Sequence, residues 1–264
     1  MNIKRIISIE LLKLPVMSNY IILGILLFLD FAFSFLFFYQ FSSSASESDS
    51  FMDVGRQILN TQASFGGMLI CIFIILNVGG EYKNGTLSKN LIDGFSREDF
   101  YVGKFFVMLF CVLFALIVGV VSLTIGSLAL GKWNDFLHLM DVTFVINFFI
   151  QLFYNGIFAL FLIFLFKKVA ISLVLYFVWG VFENILTGIQ YVYFKTQEID
   201  STFRLDEYLP RSSIEVVLNS TEYIHPSSIV ITGIYILLFL LIPYFSFLKS
   251  DKSSKRLVLD NCFL

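Results

Sequence analysis

A few side chains of this chain stand at spacings that resemble known catalytic motifs. Between Gly126 and Lys132 the sequence imitates a phosphate-binding loop, but Trp133 follows where that motif needs a hydroxyl to hold magnesium. The stretch also closes an apolar run on the side of the membrane that the charges below assign to the exterior. We therefore expect that this chain alone does not hydrolyse ATP.

Metal and nucleophilic chemistry has as little support. The two histidines, His138 and His225, stand in polar connections. Although Asp135 and Asp141 lie near His138, solvated loop residues are the simpler interpretation. Neither the H-E-x-x-H nor the G-x-S-x-G pattern occurs, and the three cysteines form no C-x-x-C pair that would indicate a zinc site. We expect a non-enzymatic chain with no catalytic residue, no metal and no cofactor of its own.

Two acidic residues, Asp30 and Glu183, stand inside apolar runs. A charge at the centre of a membrane helix costs about 2.5–3.5 kcal/mol on insertion scales, so such groups face the interior of a bundle or a cavity. One interpretation is a polar translocation path, lined by these acids together with Asn147, Gln151 and Asn155. The other is a protonated acid that is hydrogen-bonded to a neighbouring helix, and the sequence leaves both open.

The elements that position these residues are built for lipid. The chain has 264 residues, of which 58% are hydrophobic and 14% charged, whereas soluble domains have about a quarter charged residues. Since a membrane helix takes ~20 residues, the chain has room for several spans and none for a separate catalytic domain. All of residues 1–264 are therefore predicted to form one transmembrane domain.

Six long apolar runs predict six transmembrane helices, because lipid offers no partner for unpaired backbone groups. Only Lys167 and Lys168 separate the fourth run from the fifth, which predicts a tight hairpin there. The predicted spans are Ser18–Phe41, Gln62–Gly80, Phe105–Leu130, Val142–Phe166, Val169–Phe194 and Ser227–Leu248.

The segments outside these spans have distinct characters. Residues 1–15 place apolar side chains at mostly helical spacing and end at Pro15, which predicts an amphipathic helix lying on the membrane surface. The alternative is the start of a signal peptide, but the apolar run that follows is too long for one. The connection 195–226 is the longest, and we expect it to form an external cap before the last span.

The positive charges set the orientation of the chain. With the N-terminus inside, 13 of the 18 lysines and arginines lie on the cytoplasmic side, and the opposite topology inverts this ratio. Both termini are therefore predicted to be cytoplasmic, and the polar segment 81–104 with them. The five on the outer side are Arg56, Lys132, Lys195, Arg204 and Arg211.

The segment 81–104 is too short for a domain and too charged for the membrane. Leu87, Leu91 and Ile92 have helical spacing, Thr86 or Ser88 is placed to cap such a helix, and Gly94 to end it. Ser96, followed by Glu98 and Asp99, is placed to cap the next helix, which continues into the third span. The sequence thus predicts a short helix between two spans.

This segment resembles the loop after the second span of ATP-binding-cassette (ABC) transporter permeases of the type-2 exporter family. The residues that carry the resemblance are Glu81-Tyr-Lys-Asn-Gly85-Thr86-Leu87, Leu91-Ile-Asp-Gly94-Phe-Ser96-Arg97 and Gly103-Lys104. The number of spans and the long external connection before the last one are also similar. The resemblance implies an all-α polytopic membrane protein of the type V exporter fold, with six transmembrane helices and an N-terminal interfacial helix.

The resemblance also implies a partner and a role for the segment. The short helix between the second and third spans would be a cytoplasmic coupling helix, seated in a groove of a separate ATPase subunit that binds ATP and Mg. Leu87, Leu91 and Ile92 would make its apolar contacts and Arg97 a polar one, while Glu81 would pair with a nearby basic residue. The residues implied in coupling are Glu81, Gly85, Thr86, Leu87, Leu91, Ile92, Ser96, Arg97 and Lys104.

The complex implied by the family contains two permease subunits, identical or closely related, and two ATPase chains in the bacterial cytoplasmic membrane. No nucleic acid is involved, and neither the cargo nor the direction of transport follows from the residues. Three alternatives remain at this point. The segment is a plain amphipathic connector, the chain is a membrane-embedded hydrolase that uses Glu183 with Asn184, or it is a structural or sensory membrane protein.

Overall fold

The computed structural model describes residues 51–92, 94, 96–129, 142–197, 205, 208–210 and 230–247, together with five helical positions between 24 and 35. The predicted interfacial helix 1–15, Asp30 and most of the first predicted span lie outside these residues, as does most of the connection 195–226. Six helices follow one another in the ranges from residue 51 onward. They are α1 (Phe51–Lys83), α2 (Thr86–Ile92), α3 (Arg97–Ala129), α4 (Val142–Phe166), α5 (Val169–Gln197) and α6 (Val230–Phe247).

Five of these helices are long and apolar enough to cross a membrane. They are α1 and α3 to α6, and they correspond to the second to sixth predicted spans. The all-helical class holds throughout the described residues, which contain no strand. The chain is a multi-pass membrane protein.

The helices on either side of the polar segment are longer than the spans predicted within them. The second span was predicted at Gln62–Gly80 and α1 continues to Lys83, while α3 begins at Arg97, directly after the predicted cap Ser96, and continues into the predicted third span. Residues 84–96, here called the insert, are therefore all that lies between the two long helices.

The core of the bundle lies between α1 and α4. In their apolar windows 61% and 67% of the residues are buried, against 39% in α3, 22% in α5 and 17% in α6. Ile74 and Ile75 of α1 belong to the same buried cluster as Leu152, Ile157 and Ile163 of α4. α1 and α4 thus form a spine, on which the other helices pack with much of their apolar surface left outside.

The predicted hairpin between α4 and α5 is present at Lys167 and Lys168. The Lys167 amide donates to the Ile163 carbonyl at 2.8 Å and closes α4, and Lys167 itself has a φ of 54°. The Ser172 hydroxyl donates back across the turn to the Leu162 carbonyl at 3.2 Å. The chain therefore reverses within two residues, and α5 packs beside α4.

Candidate functional site

The insert is held by a glycine near each end of α2. Gly85 and Gly94 have φ angles of 67° and 89°, which side chains with a Cβ rarely adopt. The Lys89 amide donates to the Gly85 carbonyl at 3.3 Å, so Gly85 occupies the cap position and Thr86 is the first helical residue. The prediction that Thr86 or Ser88 caps this helix was therefore wrong, because the left-handed turn at residue 85 requires glycine.

The start of α3 carries a reciprocal cap. The Asp99 amide donates to the Ser96 hydroxyl oxygen at 3.0 Å, and the Ser96 amide donates to the Asp99 carboxylate at 3.2 Å. This is the capping-box arrangement, with aspartate in the place of the usual glutamate. Glu98 and Asp99 also place negative charge at the positive end of the helix dipole. The insert thus passes into α3 through a fixed turn.

A buried ion pair joins the end of α1 to the start of α3. Lys104 Nζ lies 2.5 Å from Glu81 Oε1, and the side chains of Lys104 and Glu81 are 1% and 14% exposed. The same ammonium lies 5.4 Å from the centre of the Phe100 ring. Breaking such a pair by removing one partner costs about 3–5 kcal/mol, because an uncompensated charge stays buried. The two helices that flank the insert are therefore coupled at its base.

Aromatic side chains from four helices fill the space beside this ion pair. Phe164 of α4 is at the centre. Its ring centroid lies 6.2 Å from that of Tyr82 of α1, 4.9 Å from that of Tyr101 of α3 and 5.2 Å from that of Phe247 of α6. Edge-to-face and tilted contacts in this distance range are favourable beyond the area they bury. We call this cluster the aromatic base; its members are Tyr82, Phe100, Tyr101, Phe164, Tyr244 and Phe247.

Arg97, the first residue of α3, is directed at α6. Its guanidinium donates to the Phe247 carbonyl at 3.3 Å and lies 5.3 Å from the centre of the Phe247 ring. One turn later, the Tyr101 hydroxyl donates to the Leu240 carbonyl at 2.9 Å. The family resemblance implies that Arg97 contacts a partner chain, and within its own chain Arg97 contacts α6.

The short helix α2 presents different side chains inward and outward. Leu87 is half-buried against the core of the bundle, whereas Ile92 is 84% exposed. Lys89 is exposed as well. The side chain of Leu91 lies outside the described part of the chain. Of the three apolar residues that the sequence assigned to a partner, Leu87 contacts its own chain and Ile92 stands free of it.

The polar residues assigned to a translocation path lie inside the bundle. Asn147, Gln151 and Glu183 are buried, at 8%, 5% and 1% exposed. Gln151 donates through Nε2 to the Ser64 hydroxyl of α1 at 3.1 Å. Asn155 accepts a hydrogen bond from the Tyr176 hydroxyl of α5 at 2.9 Å.

Gln151 and Asn155 of α4 thus bind its two neighbours in the bundle. The backbone approaches closely here, since a Cβ on Gly67 would lie 2.4 Å from the Asn155 amide nitrogen. Ser64, Tyr176 and the aromatic base had no distinguishing mark in the sequence. Their only sequence signal was a polar or aromatic residue inside an apolar run, which many other positions share.

The side chains that commonly bind metal ions do not cluster in the described residues. No group of three or more histidine, cysteine, aspartate or glutamate side chains converges there to hold a metal ion. The cysteines described, Cys71 and Cys111, are buried and form no disulfide.

In a comparison with protein families, residues 6–183 match the family described as ABC-2 family transporter protein. The matched region is well over half of the 264 residues. It includes the whole insert, α1 to α4 and about half of α5. No curated protein matches the chain.

Proposed function

Because the chain belongs to the ABC-2 transporter family, we propose that it is the transmembrane permease subunit of an ATP-driven exporter. Family membership implies partnership with an ABC ATPase subunit. On this proposal the partner binds ATP and Mg and hydrolyses the nucleotide, while this chain makes and breaks no covalent bond. Its work is a shift between conformational states, driven by differential contact with the partner.

The observation that carries the proposal is the exposed Ile92 on a short helix with a rigid foundation. Ile92 is a large apolar side chain that is 84% exposed on a polar segment between two spans, which supports contact with a partner. Only two residues connect α1 to α2, and the ion pair between Glu81 and Lys104 joins α1 to α3. A force applied to α2 is thereby passed to both helices at once.

The remaining parts of the proposal follow the family and the charge distribution. Segment 81–104 and both termini face the cytoplasm of a bacterium, and the N-terminal 1–15 lies along the inner leaflet. Two permease subunits, identical or related, assemble with two ATPase chains. The path for the cargo runs near Asp30, Asn147, Gln151 and Glu183, with Gly85, Thr86, Leu91 and Ser96 shaping the ATPase contact.

The experiment that tests the proposal changes Ile92. In the complex purified with its ATP-binding subunit, I92D places a carboxylate where we expect an apolar groove of the partner, and ATP hydrolysis by the complex should fall at least about tenfold, the equivalent of 1.4 kcal/mol. Membrane insertion and the unfolding temperature of the chain should not change, because Ile92 is exposed.

The matched control is I92L, which keeps the apolar contact and should retain the hydrolysis rate. An I92D complex that assembles and hydrolyses ATP like the wild type would show that α2 is not the ATPase contact. The connector alternative for this segment would then be correct.

A further inference from the structure

α6 is the least buried of the spanning helices described, with 17% of its apolar window inside the bundle. Midway along the helix, Phe239 contacts α4 through Phe161 and Phe158, with ring centroids 4.8 and 5.1 Å apart. Arg97 and Tyr101, in the first turns of α3 after the insert, make contacts with α6. They are hydrogen bonds and ring contacts.

We infer that Arg97 and Tyr101 are positioning residues that make α6 follow every movement of the insert. The inference rests on the proposed function, in which a partner displaces the insert. It adds that this displacement reaches α6, which lies outside the spine, through α3. It also reassigns Arg97, which acts through α6 and not through the partner.

The chemistry at Arg97 suits a firm attachment. A guanidinium that donates to a carbonyl makes a charge-assisted hydrogen bond, which is roughly twice as strong as a neutral one. Its position over the Phe247 ring adds a cation–π contact. Arg97 therefore makes two kinds of contact with one residue of α6.

Two attachment points fix an angle as well as a distance. Arg97 and Tyr101 are one turn apart on α3, and their acceptors Phe247 and Leu240 are about two turns apart on α6. A tilt of α3 therefore cannot be absorbed by rotation about a single contact. Arg97 directly follows the Ser96 cap, so the end of the insert and the start of this attachment are the same few residues.

The test uses pairs of spin labels on exposed positions, in the complex with its ATPase, with the three native cysteines replaced by alanine. Glu98 with Leu238 reports on α3 against α6, and Val181 with Leu238 reports on α5 against α6. Trapping ADP and vanadate should leave the first distance unchanged and shift the second. The double variant R97Q/Y101F should broaden the first distance and lose most of the shift in the second.

R97K, which keeps the cation beside Phe247, should behave more like the wild type than R97Q does. A narrow first distance in R97Q/Y101F, or an undiminished shift of the second, would overturn the inference, as would a wild-type complex in which α6 does not move on trapping. None of these results affects the proposed function, which fails instead if ATP hydrolysis does not depend on Ile92.

Discussion

The spine of α1 and α4 and the pair α5 and α6 are made of similar residues but packed in opposite ways. In the spine, about two thirds of each apolar window is buried, and amide and hydroxyl groups bind across the helix contacts, as Gln151 does with Ser64. In α5 and α6 about four fifths of the window faces outward. In a membrane, apolar surface need not be buried to be stable, since lipid tails are as apolar as leucine. Burial therefore distinguishes the closely packed spine from the two helices that leave most of their surface outside the bundle.

The largest effect should come from the ion pair between Glu81 and Lys104, which joins α1 of the spine to α3 beside the insert. Glu81→Ala removes the carboxylate that pairs with the buried Lys104 ammonium, which should lower the free energy of unfolding by about 3–5 kcal/mol. Unfolding in detergent, followed by circular dichroism, measures this. The double variant E81L/K104M replaces the pair by apolar side chains and should recover most of the loss. If E81A unfolds like the wild type, the pair does not hold α1 to α3.

A smaller loss of stability should follow from replacing a glycine by valine in the spine, and almost none from the same change in α5. Gly67→Val places a branched side chain against Asn155, because a Cβ at residue 67 would lie 2.4 Å from the Asn155 amide nitrogen. Overpacking of this kind costs about 1–3 kcal/mol. Gly188→Val on α5 meets no atom within 4 Å and should leave stability almost unchanged. The same unfolding measurement compares the two. Equal losses would mean that the spine is no more tightly packed than α5.

The smallest effect should come from single hydroxyl groups. Tyr176→Phe removes the donor to the buried Asn155 oxygen and should cost about 0.6 kcal/mol, the average for hydrogen bonds between membrane helices. Tyr191→Phe, at an exposed position of α5, is the matched control and should cost nothing measurable. A loss of the same size in both variants would contradict the contrast between the two regions.

Much of the helical framework could be predicted from the sequence, because apolar runs of spanning length leave the backbone no alternative to a helix. The Ser96 cap was equally readable, since its partner stands three residues away. The residue that caps α2 was not, because Gly85 acts through its φ angle and has no side chain to suggest a role. The partner of Glu81 was expected to be basic, but Lys104 stands 23 residues further along the chain, so only the folded bundle identifies it.

The direction of side chains on the insert was the least predictable feature. Leu87 and Ile92 are both apolar and lie on the same short helix, yet one packs on the core and the other is exposed. Arg97 is a cation at the membrane edge, where contact with a partner and contact with a helix end are equally plausible from sequence. The aromatic base could not be predicted from the sequence, because the chain has 33 phenylalanines and nothing in the local sequence distinguishes Phe100 or Phe164 from the rest.

The two-residue reversal at Lys167 has a consequence for biosynthesis. α4 and α5 contain 25 and 29 residues, and only Lys167 and Lys168 lie between them. This connection is too short to hold α4 in the translocation channel until α5 has been made. The two arms must therefore enter the bilayer together as a hairpin, with two ammonium groups as the anchor that stays behind. A left-handed lysine costs about 1–2 kcal/mol relative to glycine at such a turn, and the positive charge that a glycine would lack is what keeps this anchor on its side of the lipid.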